Sequence, residues 1–342
     1  MGRKTVYNRI FNEKEWEQVN PKNKQLLMEW KTYLMSTDKS NGTIKQYEND
    51  MRILLIFLLR MAQNKFVIDL NKRDIISFQG YSMNEWKHSS NRVRRLKSCL
   101  SSLCNYVENI MDDLYPDFRN IVNKIESPTK KPVREKTVLT NEQVQQVLET
   151  LVETKQYQKA CVFALAANSG ARLSELCRFK VSFFKEEHLV NGAYYKTPQK
   201  IRIKGRGREG SSKYKYILKA GFKEYFDLWM EERERLGIDT DELFVTRRNE
   251  QWVPATDGTL QSWKNKFTKI LETDFYFHSL RHYLTTKLRA NNIPDKIIKD
   301  FFGWESIDMI EIYDDNEAED DFAKFFTAGG IKKVEKKTID DI

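Results

Sequence analysis

The sequence has no long hydrophobic run. Its most apolar stretch, ILLIFLLRM at residues 53–61, is short and contains Arg60. A transmembrane helix needs about 20 predominantly apolar residues, so the sequence predicts no membrane span. The N-terminal segment MGRKTVYNRIFNEKEWE also lacks the apolar core of a secretory signal. We therefore expect a soluble, cytoplasmic protein.

Cysteine is scarce, and the chain contains no C-x-x-C pair and no secretory context. We predict that its four cysteines are buried thiols in a reducing compartment. They are Cys99, Cys104, Cys161 and Cys177.

Histidine is equally scarce, and its spacing argues against a metal site. His278 and His282 have the i, i+4 spacing of the zinc motif H-E-x-x-H, but Ser279 stands where that motif has glutamate. The other two histidines are His88 and His188, far away in sequence. We therefore predict no bound metal.

Positive charge is what the chain has in excess. Lysine and arginine number 58 against 49 aspartates and glutamates, which gives a formal net charge of +9. This balance favours a polyanionic partner, most simply nucleic acid. A chain of 342 residues with 40% hydrophobic residues is also long and apolar enough for two folded domains.

The segment SPTKKPVREK, residues 127–136, marks the predicted domain boundary, since Pro128 and Pro132 break helices. Its cations suit contact with phosphates. The predicted organisation is an N-terminal arm at 1–21, a helical domain at 22–126, this linker, a second domain at 137–328 and a disordered tail at 329–342. The linker cations that we expect to contact nucleic-acid phosphates are Lys130, Lys131 and Arg134.

Helical spacing predicts four helices before this linker. The second, TIKQYENDMRILLIFLLRMAQ, has Asn41 or Thr43 available as its N-cap. The fourth, SNRVRRLKSCLSSLCNYVENIM, has cations in its first turns, which we expect to lie away from its apolar stripe. These cations oppose the helix dipole and favour an external anion. An ordinary solvated face is the alternative. The apolar stripe comprises Val93, Leu96, Leu100, Leu103, Val107 and Ile110, and the cations are Arg92, Arg94, Arg95 and Lys97.

The second half has a mixed pattern. A helix begins at LTNEQVQQVLETL, where Thr140 and Gln143 form a capping box. GAYYKTPQKIRIKGRG and SSKYKYILK alternate like two short strands around a glycine-rich turn. Further helices are predicted at 155–168 and at 173–180, and helices are expected to dominate from Phe222 to about Phe326. The fold class is therefore mainly α with a small β-sheet.

Several polar residues of this half suit anion chemistry. Arg172 in SGARLSELCRF opens an apolar helix, where its planar fork could clamp an anion or pair with Glu175. FHSLRHYLTTKL places His278 and Arg281 on one helix face, a proton carrier beside an oxyanion holder. Taken alone, Trp304 and Tyr313 are packing residues. The hairpin adds Lys204, Arg206, Lys213 and Lys215.

In their order along the chain, these motifs resemble the tyrosine recombinase (phage integrase) family, which includes Cre-like and Xer-like site-specific recombinases. ARLSEL resembles the first arginine motif of the family and HSLRH its histidine–arginine motif. FFGWESIDMIEIYDD resembles the segment that ends at the nucleophilic tyrosine. The resemblance covers residues 22–325, and the N-terminal helices resemble the core-binding domain of the family.

The resemblance implies a C-shaped DNA clamp with an all-helical (SAM-like) core-binding domain and an α+β catalytic domain. It implies a site-specific recombinase or integrase that cleaves and rejoins double-stranded DNA through a 3′-phosphotyrosine and a Holliday junction, without metal, ATP or another cofactor. A homotetramer would act on two duplexes at a core site with inverted repeats, with room for an accessory directionality factor. The source would be bacterial, archaeal or phage-encoded, and the protein nucleoid-associated.

By resemblance, fixed cations would neutralise the scissile phosphate, since a phosphodiester resists attack by a nucleophile. Arg172 and Arg281 would clamp its nonbridging oxygens, and Tyr313 would attack phosphorus. His278 would assist deprotonation of a phenol whose ordinary pKa is about 10. Glu175 would orient these groups.

Two further roles follow from the resemblance. Trp304 stands where the family more often has histidine, and would donate a hydrogen bond. The departing 5′ oxygen would take a proton from a hairpin lysine, for which we favour Lys204. An alternative alignment places Arg206 there, and Lys213 is the third choice.

Two other functions stay open. A type IB topoisomerase-like enzyme would use the same chemistry without strand exchange, although the separate N-terminal domain and the LSEL motif favour a recombinase. A catalytically inactive DNA-binding protein of the same fold is the second alternative, against which the intact arginine, histidine and tyrosine set argues.

Overall fold

The structure is a computed structural model that describes residues 6–131, 138–203, 210–314, 326–327 and 330–331. The described chain divides into two compact units. The N-terminal unit comprises residues 6–131; the C-terminal unit comprises residues 138–203 and 211–314 with two short strands near the C-terminus. Several residues singled out in the sequence lie outside the described residues, namely Pro132, Arg134, Lys204 and Arg206.

The N-terminal unit is helical, and polar side chains cap the starts of its helices. The second predicted helix begins one residue before the start expected from Asn41 and three before that expected from Thr43, since Ser40 is its N-cap. The N–H of Thr43 donates to Ser40 Oγ at 3.2 Å. The helices are α1 (Val6–Ile10), α2 (Glu13–Gln18), α3 (Pro21–Ser36), α4 (Asn41–Met61), α5 (Lys72–Asn84) and α6 (Ser90–Ile110).

The N-terminal segment is more ordered than the sequence suggests. Residues 6–18, part of the predicted arm, form α1 and α2 and contact α4. Ile10 and Val19 are buried, and Arg60 of α4 donates two hydrogen bonds to the carboxylate of Glu15 at 2.7 and 2.8 Å. The segment thus belongs to the core of this unit.

The apolar stripe of α6 faces the core of the N-terminal unit. Val93, Leu100 and Val107 are at most 1% exposed, whereas Ile110 at the last turn is 51% exposed. Helical spacing places these residues on one face, so the pattern correctly predicts the buried side of α6 except at its end.

The C-terminal unit is built around one buried helix. Its helices are α7 (Asn141–Glu153), α8 (Tyr157–Ser169), α9 (Leu173–Leu176), α10 (Lys223–Arg235), α11 (Asp257–Leu271), α12 (Phe277–Ala290), α13 (Asp295–Phe302) and α14 (Asp308–Tyr313). The capping box predicted at Thr140 and Gln143 is confirmed at the start of α7. Residues 160–167 of α8 are fully buried, and many are alanines, so α7, α10 and α12 can pack closely against it.

Short antiparallel strands complete this unit. They are β1 (Leu189–Val190), β2 (Tyr194–Lys196), β3 (Ile201–Ile203), β4 (Ser211–Lys213), β5 (Tyr216–Leu218), β6 (Val245–Arg248), β7 (Gln251–Pro254), β8 (Phe326–Thr327) and β9 (Gly330–Ile331). The described strands form the sheet β1-β2-β5 and the pairs β3-β4, β6-β7 and β8-β9.

The region predicted as two strands is divided into four. Pro198 separates β2 from β3 and cannot donate to a ladder. Tyr214 and Lys215 separate β4 from β5, so β2 pairs with β5 while β3 pairs with β4. No helix in the described ranges is long and apolar enough to cross a membrane.

Candidate active site

The site begins where α8 ends. Gly170 caps α8 in the left-handed conformation (φ 55°), which glycine adopts without strain. Two residues later Arg172 is the N-cap of α9, and its main-chain N–H donates to Glu175 Oε2 at 3.0 Å. Its Nη1 donates to Glu175 Oε1, also at 3.0 Å. Both the ion pair with Glu175 and an arginine at the helix start are therefore present.

Glu175 is a buried carboxylate surrounded by cations. It is 0% exposed, and Nζ of Lys215 lies 2.7 Å from its Oε2. Nη2 of Arg281 lies 3.9 Å from the same oxygen, too far for a hydrogen bond. Burial alone would raise the pKa of Glu175, but the charges of Lys215 and Arg281 hold it below the ordinary value. The group is therefore an anion that anchors three cations.

Arg281 on α12 is fixed by a hydrogen bond from its Nε, whereas its two terminal nitrogens make no hydrogen bond among the described residues. It is 1% exposed, and its Nε donates to the carbonyl oxygen of Gly170 at 2.6 Å. Nη1 and Nη2 are buried and have no hydrogen-bond partner among the described residues. Buried donors are normally paired, so this guanidinium is arranged for a ligand with oxygen acceptors.

Tyr313, the last residue of α14, meets α12 at His278. Tyr313 Oη lies 2.8 Å from His278 Nε2, a hydrogen-bond distance. Desolvation together with the nearby Arg281 lowers the pKa of His278 to about 4. At neutral pH its imidazole is uncharged and can accept the phenolic proton, which is what a general base requires.

An aromatic stack fixes the Tyr313 ring. The Trp304 ring lies nearly parallel to it at 5.2 Å between centroids, and the Phe302 ring stacks on Trp304 at 4.5 Å. The guanidinium carbon of Arg281 lies 5.5 Å from the centroid of Phe302 and 5.8 Å from that of Tyr313. The Trp304 Nε1 donor is buried and has no partner in the described part of the chain. Trp304 therefore both packs and offers a donor.

The structure brings the described members of the predicted catalytic set into one connected site with the predicted supporting residue Glu175. These members are Arg172, His278, Arg281, Trp304 and Tyr313. The favoured general acid Lys204 and its alternative Arg206 lie outside the described residues. The Lys213 side chain on β4 lies close to Gly303, the residue before Trp304. A Cβ atom placed on Gly303 would be 3.4 Å from Lys213 Cγ. Lys215, mentioned in the sequence only as a hairpin cation, is the residue that sequence reasoning missed.

The N-terminal cations differ in what they contact. Arg92 and Arg95 both pair with the buried carboxylate of Asp50, at 2.7 and 2.9 Å. Exposed Arg94 donates to the carbonyl of Pro128 at 3.0 Å. Lys97 is 4% exposed, and its ammonium donates to the carbonyls of Ile125 and Glu126.

This burial corrects the sequence interpretation of α6. Lys97 lies on the apolar side of the helix, which is at odds with a phosphate contact, and Arg92 has a side chain only 17% exposed. Lys130 and Lys131 are exposed, and Arg134 lies outside the described residues. Arg94, Arg95, Lys130 and Lys131 thus stay candidates for contact with DNA.

Comparison with known proteins places the chain in a family. Residues 137–320 match the phage integrase family. The chain is 28% identical over 275 residues to the SPbeta prophage-derived recombinase-like protein YomM of Bacillus subtilis (strain 168), covering 80% of this chain and 78% of that protein. It is 23% identical over 291 residues to a tyrosine recombinase of Thermosipho africanus (strain TCF52B), covering 80% and 88%.

Solved structures share the fold. A lambda integrase (75–356) dimer bound to a COC′ core site has a TM-score of 0.63 at 17% identity, with 92% of this chain and 99% of that chain covered. A lambda integrase tetramer bound to a Holliday junction has a TM-score of 0.62 at 18% identity, with 85% and 76% covered. The mainly helical, two-unit fold predicted from the resemblance is confirmed. The chain belongs to the phage integrase family and is a tyrosine-type site-specific DNA recombinase.

Proposed function

We propose that this chain cleaves and rejoins DNA through a covalent 3′-phosphotyrosine at Tyr313, without metal, ATP or another cofactor. The observation that carries the proposal is the hydrogen-bond distance of 2.8 Å between Tyr313 Oη and His278 Nε2, beside the unpaired fork of Arg281. The nucleophile and the base are thus already in contact, and the guanidinium that would hold the anion lies 5.8 Å from the centroid of the Tyr313 ring.

In the proposed cleavage step, Tyr313 Oη forms a bond to phosphorus while the bond from phosphorus to the 5′ oxygen breaks. His278 takes the phenolic proton. Arg172 and Arg281 hold the nonbridging oxygens, where preorganised donors stabilise the charge of the transition state. Trp304 Nε1, buried and unpartnered among the described residues, is a further donor for one of these oxygens.

The phosphotyrosine preserves the bond energy of the phosphodiester, so rejoining needs no nucleotide cofactor. A 5′ hydroxyl from either strand attacks the phosphorus, and Tyr313 leaves with a proton returned by His278. Attack by a strand from a second duplex gives a Holliday junction. Cations of the chain do the electrostatic work for which many phosphoryl transfer enzymes use magnesium.

The departing 5′ oxygen requires a proton. We propose Lys204 as its donor and keep Lys213 as the second candidate, which is supported by its position beside Gly303. A substrate with sulfur in place of the bridging 5′ oxygen distinguishes them, because a thiolate leaves without protonation. Such a substrate is expected to restore cleavage in Lys204→Ala; restoration in Lys213→Ala alone would transfer the role to Lys213. If the sulfur substrate restores cleavage in neither variant, Arg206 becomes the candidate proton donor again.

We also propose that both units contact double-stranded DNA at a core site with inverted repeats. Exposed Arg94, Arg95, Lys130 and Lys131 would bind phosphates, which position the protein but read no sequence. A homotetramer would act on two duplexes, a proposal supported by the lambda integrase tetramer on a Holliday junction. An accessory factor would set direction where the reaction is directional.

A cavity in the C-terminal unit suits an assembly contact. It has a volume of about 730 Å³ and apolar walls that include Tyr216, Leu218, Ile293 and Phe301. We propose that the segment EAEDDFAKFF, residues 317–326, of which the structure describes only Phe326, docks its phenylalanines on a neighbouring protomer. Truncation after Asp315 is expected to abolish the tetramer on DNA, and full tetramer recovery would contradict the proposal. Ile297→Asp in the cavity wall is expected to match the truncation.

The first experiment is covalent trapping. The protein is incubated with nicked suicide duplexes that include DNA flanking its gene, without added metal, and denatured; the attached DNA is then sequenced. We expect an adduct that Tyr313→Phe abolishes. Tyr283→Phe is the matched control, since Tyr283 Oη donates to Asn141 at 2.8 Å and Tyr283 has no part in the proposed chemistry.

The alternatives predict different results. Tight DNA binding with no adduct would favour the catalytically inactive binder. An adduct with relaxation of plasmids that lack the trapped site would favour the topoisomerase-like enzyme. An adduct at one recurring site, with strand exchange between two duplexes that carry it, is what the recombinase proposal requires.

A further inference from the structure

Lys215 is a buried lysine inside the site that carries no role in the scheme above. It is 2% exposed and lies between β4 and β5. Its main chain is fixed on both sides, because its N–H donates to Thr197 Oγ1 and its carbonyl accepts from the Thr197 N–H, both at 3.0 Å. Thr197 itself is buried. The backbone thus aims the Lys215 side chain inward.

The ammonium of Lys215 meets one oxygen of one carboxylate. Nζ lies 2.7 Å from Glu175 Oε2, the oxygen that also accepts the main-chain N–H of Arg172. Glu175 Oε1 accepts Nη1 of Arg172. The orientation of the Glu175 carboxylate therefore decides where the Arg172 fork points, and Lys215 is the cation that fixes Oε2 from the β-sheet side.

We propose that Lys215 is a positioning residue for recombination: it holds the Glu175 carboxylate so that Arg172 and Arg281 present their donors to the scissile phosphate. The inference rests on the proposed function of these arginines. It concerns a residue that acts through Glu175 rather than on Tyr313.

Charge makes this role specific. Arg172 and Arg281 are like charges that share a buried site, and Glu175 is the anion between them. Lys215 gives Glu175 Oε2 a second close donor without using the guanidinium nitrogens of Arg172 or Arg281. An apolar residue in its place leaves Oε2 with a single close donor and raises the cost of keeping Glu175 ionised.

The loss of Lys215 therefore has a pH signature. The charged or titratable groups around Glu175 are Arg172 on its own helix, Arg281 and His278 on α12, and Lys215 from the sheet. Removal of the Lys215 charge lets Glu175 take up a proton at higher pH. A protonated Glu175 releases Arg172, so cleavage falls as the pH is lowered through the new pKa.

The test compares Lys215→Met, Lys215→Arg and Glu175→Gln/Lys215→Met in single-turnover cleavage of the suicide duplex, from pH 5 to 8. We expect Lys215→Met to reduce the rate at saturating DNA by about 10- to 100-fold, as a misplaced catalytic group does, with half-saturation changed less than about threefold. Lys215→Met should also show an acid limb, that is, a fall in the cleavage rate at low pH that the wild type does not show. Lys215→Arg is expected to restore most of the rate, and the double variant to lose the limb.

A matched control separates this role from general stability. Arg233→Met removes another buried cation of the same unit, one that donates to the carbonyls of Glu242 and Leu243, and is expected to change stability without the acid limb. A Lys215→Met enzyme with wild-type rate and pH profile would overturn the inference. If Lys215→Met does not fold, Lys215→Gln carries the same test. An adduct absent from the wild type itself would instead count against the proposed function.

Discussion

Among the residues that the structure describes, each unit contains one fully buried carboxylate with arginine partners. The two clusters differ in how many cations surround that carboxylate and in how exposed those cations are. In the N-terminal unit, Asp50 on α4 receives Arg92 and Arg95 from α6, and Arg95 keeps a side chain that is 43% exposed. In the C-terminal unit, Glu175 is surrounded by Arg172, Lys215 and Arg281, with a lysine that is 2% exposed and an arginine that is 1% exposed.

The difference separates a structural ion pair from a prepared site. Asp50 joins two helices of the N-terminal core, and water solvates the charge left over there. The Glu175 cluster has three cations for one anion, and two of the cations, Lys215 and Arg281, are buried. Nη1 and Nη2 of Arg281 have no hydrogen-bond partner in the described chain. Unpaired buried charge is costly, and a bound phosphate removes that cost. The binding site is therefore the place where buried positive charge exceeds the negative charge that the protein provides.

The largest expected effect comes from removing one cation from each cluster. Arg281→Gln is expected to lower the single-turnover cleavage rate by about 10²- to 10³-fold or more, since it removes a preorganised donor to the transition state. Arg92→Gln is expected to lower stability by about 1–3 kcal/mol, because Asp50 loses a partner, and to leave the rate at saturating DNA within about threefold. Quenched cleavage assays and denaturant melts measure the two quantities.

The distinction between a structural Asp50 cluster and a catalytic Glu175 cluster fails if the two variants do not differ in cleavage rate. A rate loss of equal size in Arg92→Gln and Arg281→Gln, with both variants folded and saturated with DNA, would mean that the Asp50 cluster also acts in catalysis. Arg281→Lys sharpens the result: it keeps the charge but loses the planar fork, and we expect less than a tenth of the wild-type rate.

The second effect concerns glycines of the two units. At Gly170 the φ of 55° disfavours a side chain, and a Cβ atom would lie 2.1 Å from Cε1 of Phe302. Gly170→Ala is expected to destabilise the C-terminal unit by at least about 2 kcal/mol and to displace the Phe302–Trp304–Tyr313 stack. Gly80→Ala on α5 has open space around it and is expected to stabilise the N-terminal unit by about 0.5–1 kcal/mol.

Hydrogen exchange followed by mass spectrometry assigns each change to its unit. We expect faster exchange in α8, α13 and α14 of Gly170→Ala, and slower exchange in α5 of Gly80→Ala. Unchanged exchange in α13 for Gly170→Ala would show that Phe302 moves away without cost, against the rigid stack inferred here.

What the sequence could predict depended on how far apart the interacting residues are. Arg172 with Glu175, and His278 with Arg281, are three residues apart, so helical spacing alone brings each pair to one face. The contact between His278 and Tyr313 joins two helices 35 residues apart. No local pattern contains it, and only the resemblance to a family supplied it.

Lys215 shows why the rest could not be predicted. In one continuous strand, Lys213 and Lys215 would lie on the same face, because side chains alternate with a period of two. The break between β4 and β5 places Lys213 in an exposed position and buries Lys215. Lys97 is the opposite case, because the prediction that it lies away from the apolar stripe was wrong although the pattern was local. It lies four residues after Val93 and three before Leu100, so helical spacing puts it on the buried stripe.

The third effect is a pH profile that distinguishes the buried His278 from an ordinary histidine. With its pKa lowered to about 4, His278 stays neutral between pH 5.5 and 7.5 and remains able to accept a proton. We expect kcat/KM for suicide cleavage, which reports the free enzyme, to be flat across that range. A histidine with the ordinary pKa of about 6.5 would give a value about tenfold lower at pH 5.5. Such a fall, absent in His278→Asn, would contradict the prepared-site interpretation.

The smallest effect tests the N-terminal unit through two neighbouring cations of α6. Arg94 is exposed, whereas Lys97 donates to the carbonyls of Ile125 and Glu126 inside the unit. In a Tyr313→Phe background, where binding is reversible, Arg94→Met is expected to weaken DNA affinity a few-fold and to reduce the slope of log K against log salt by about 1. Lys97→Met is expected to leave that slope unchanged, because an ammonium that is buried against two protein carbonyls does not reach a phosphate and so releases no counterion from DNA. The reverse result would place the buried side of α6 against DNA, and the Lys97 ammonium would then have to leave its two carbonyls when DNA binds.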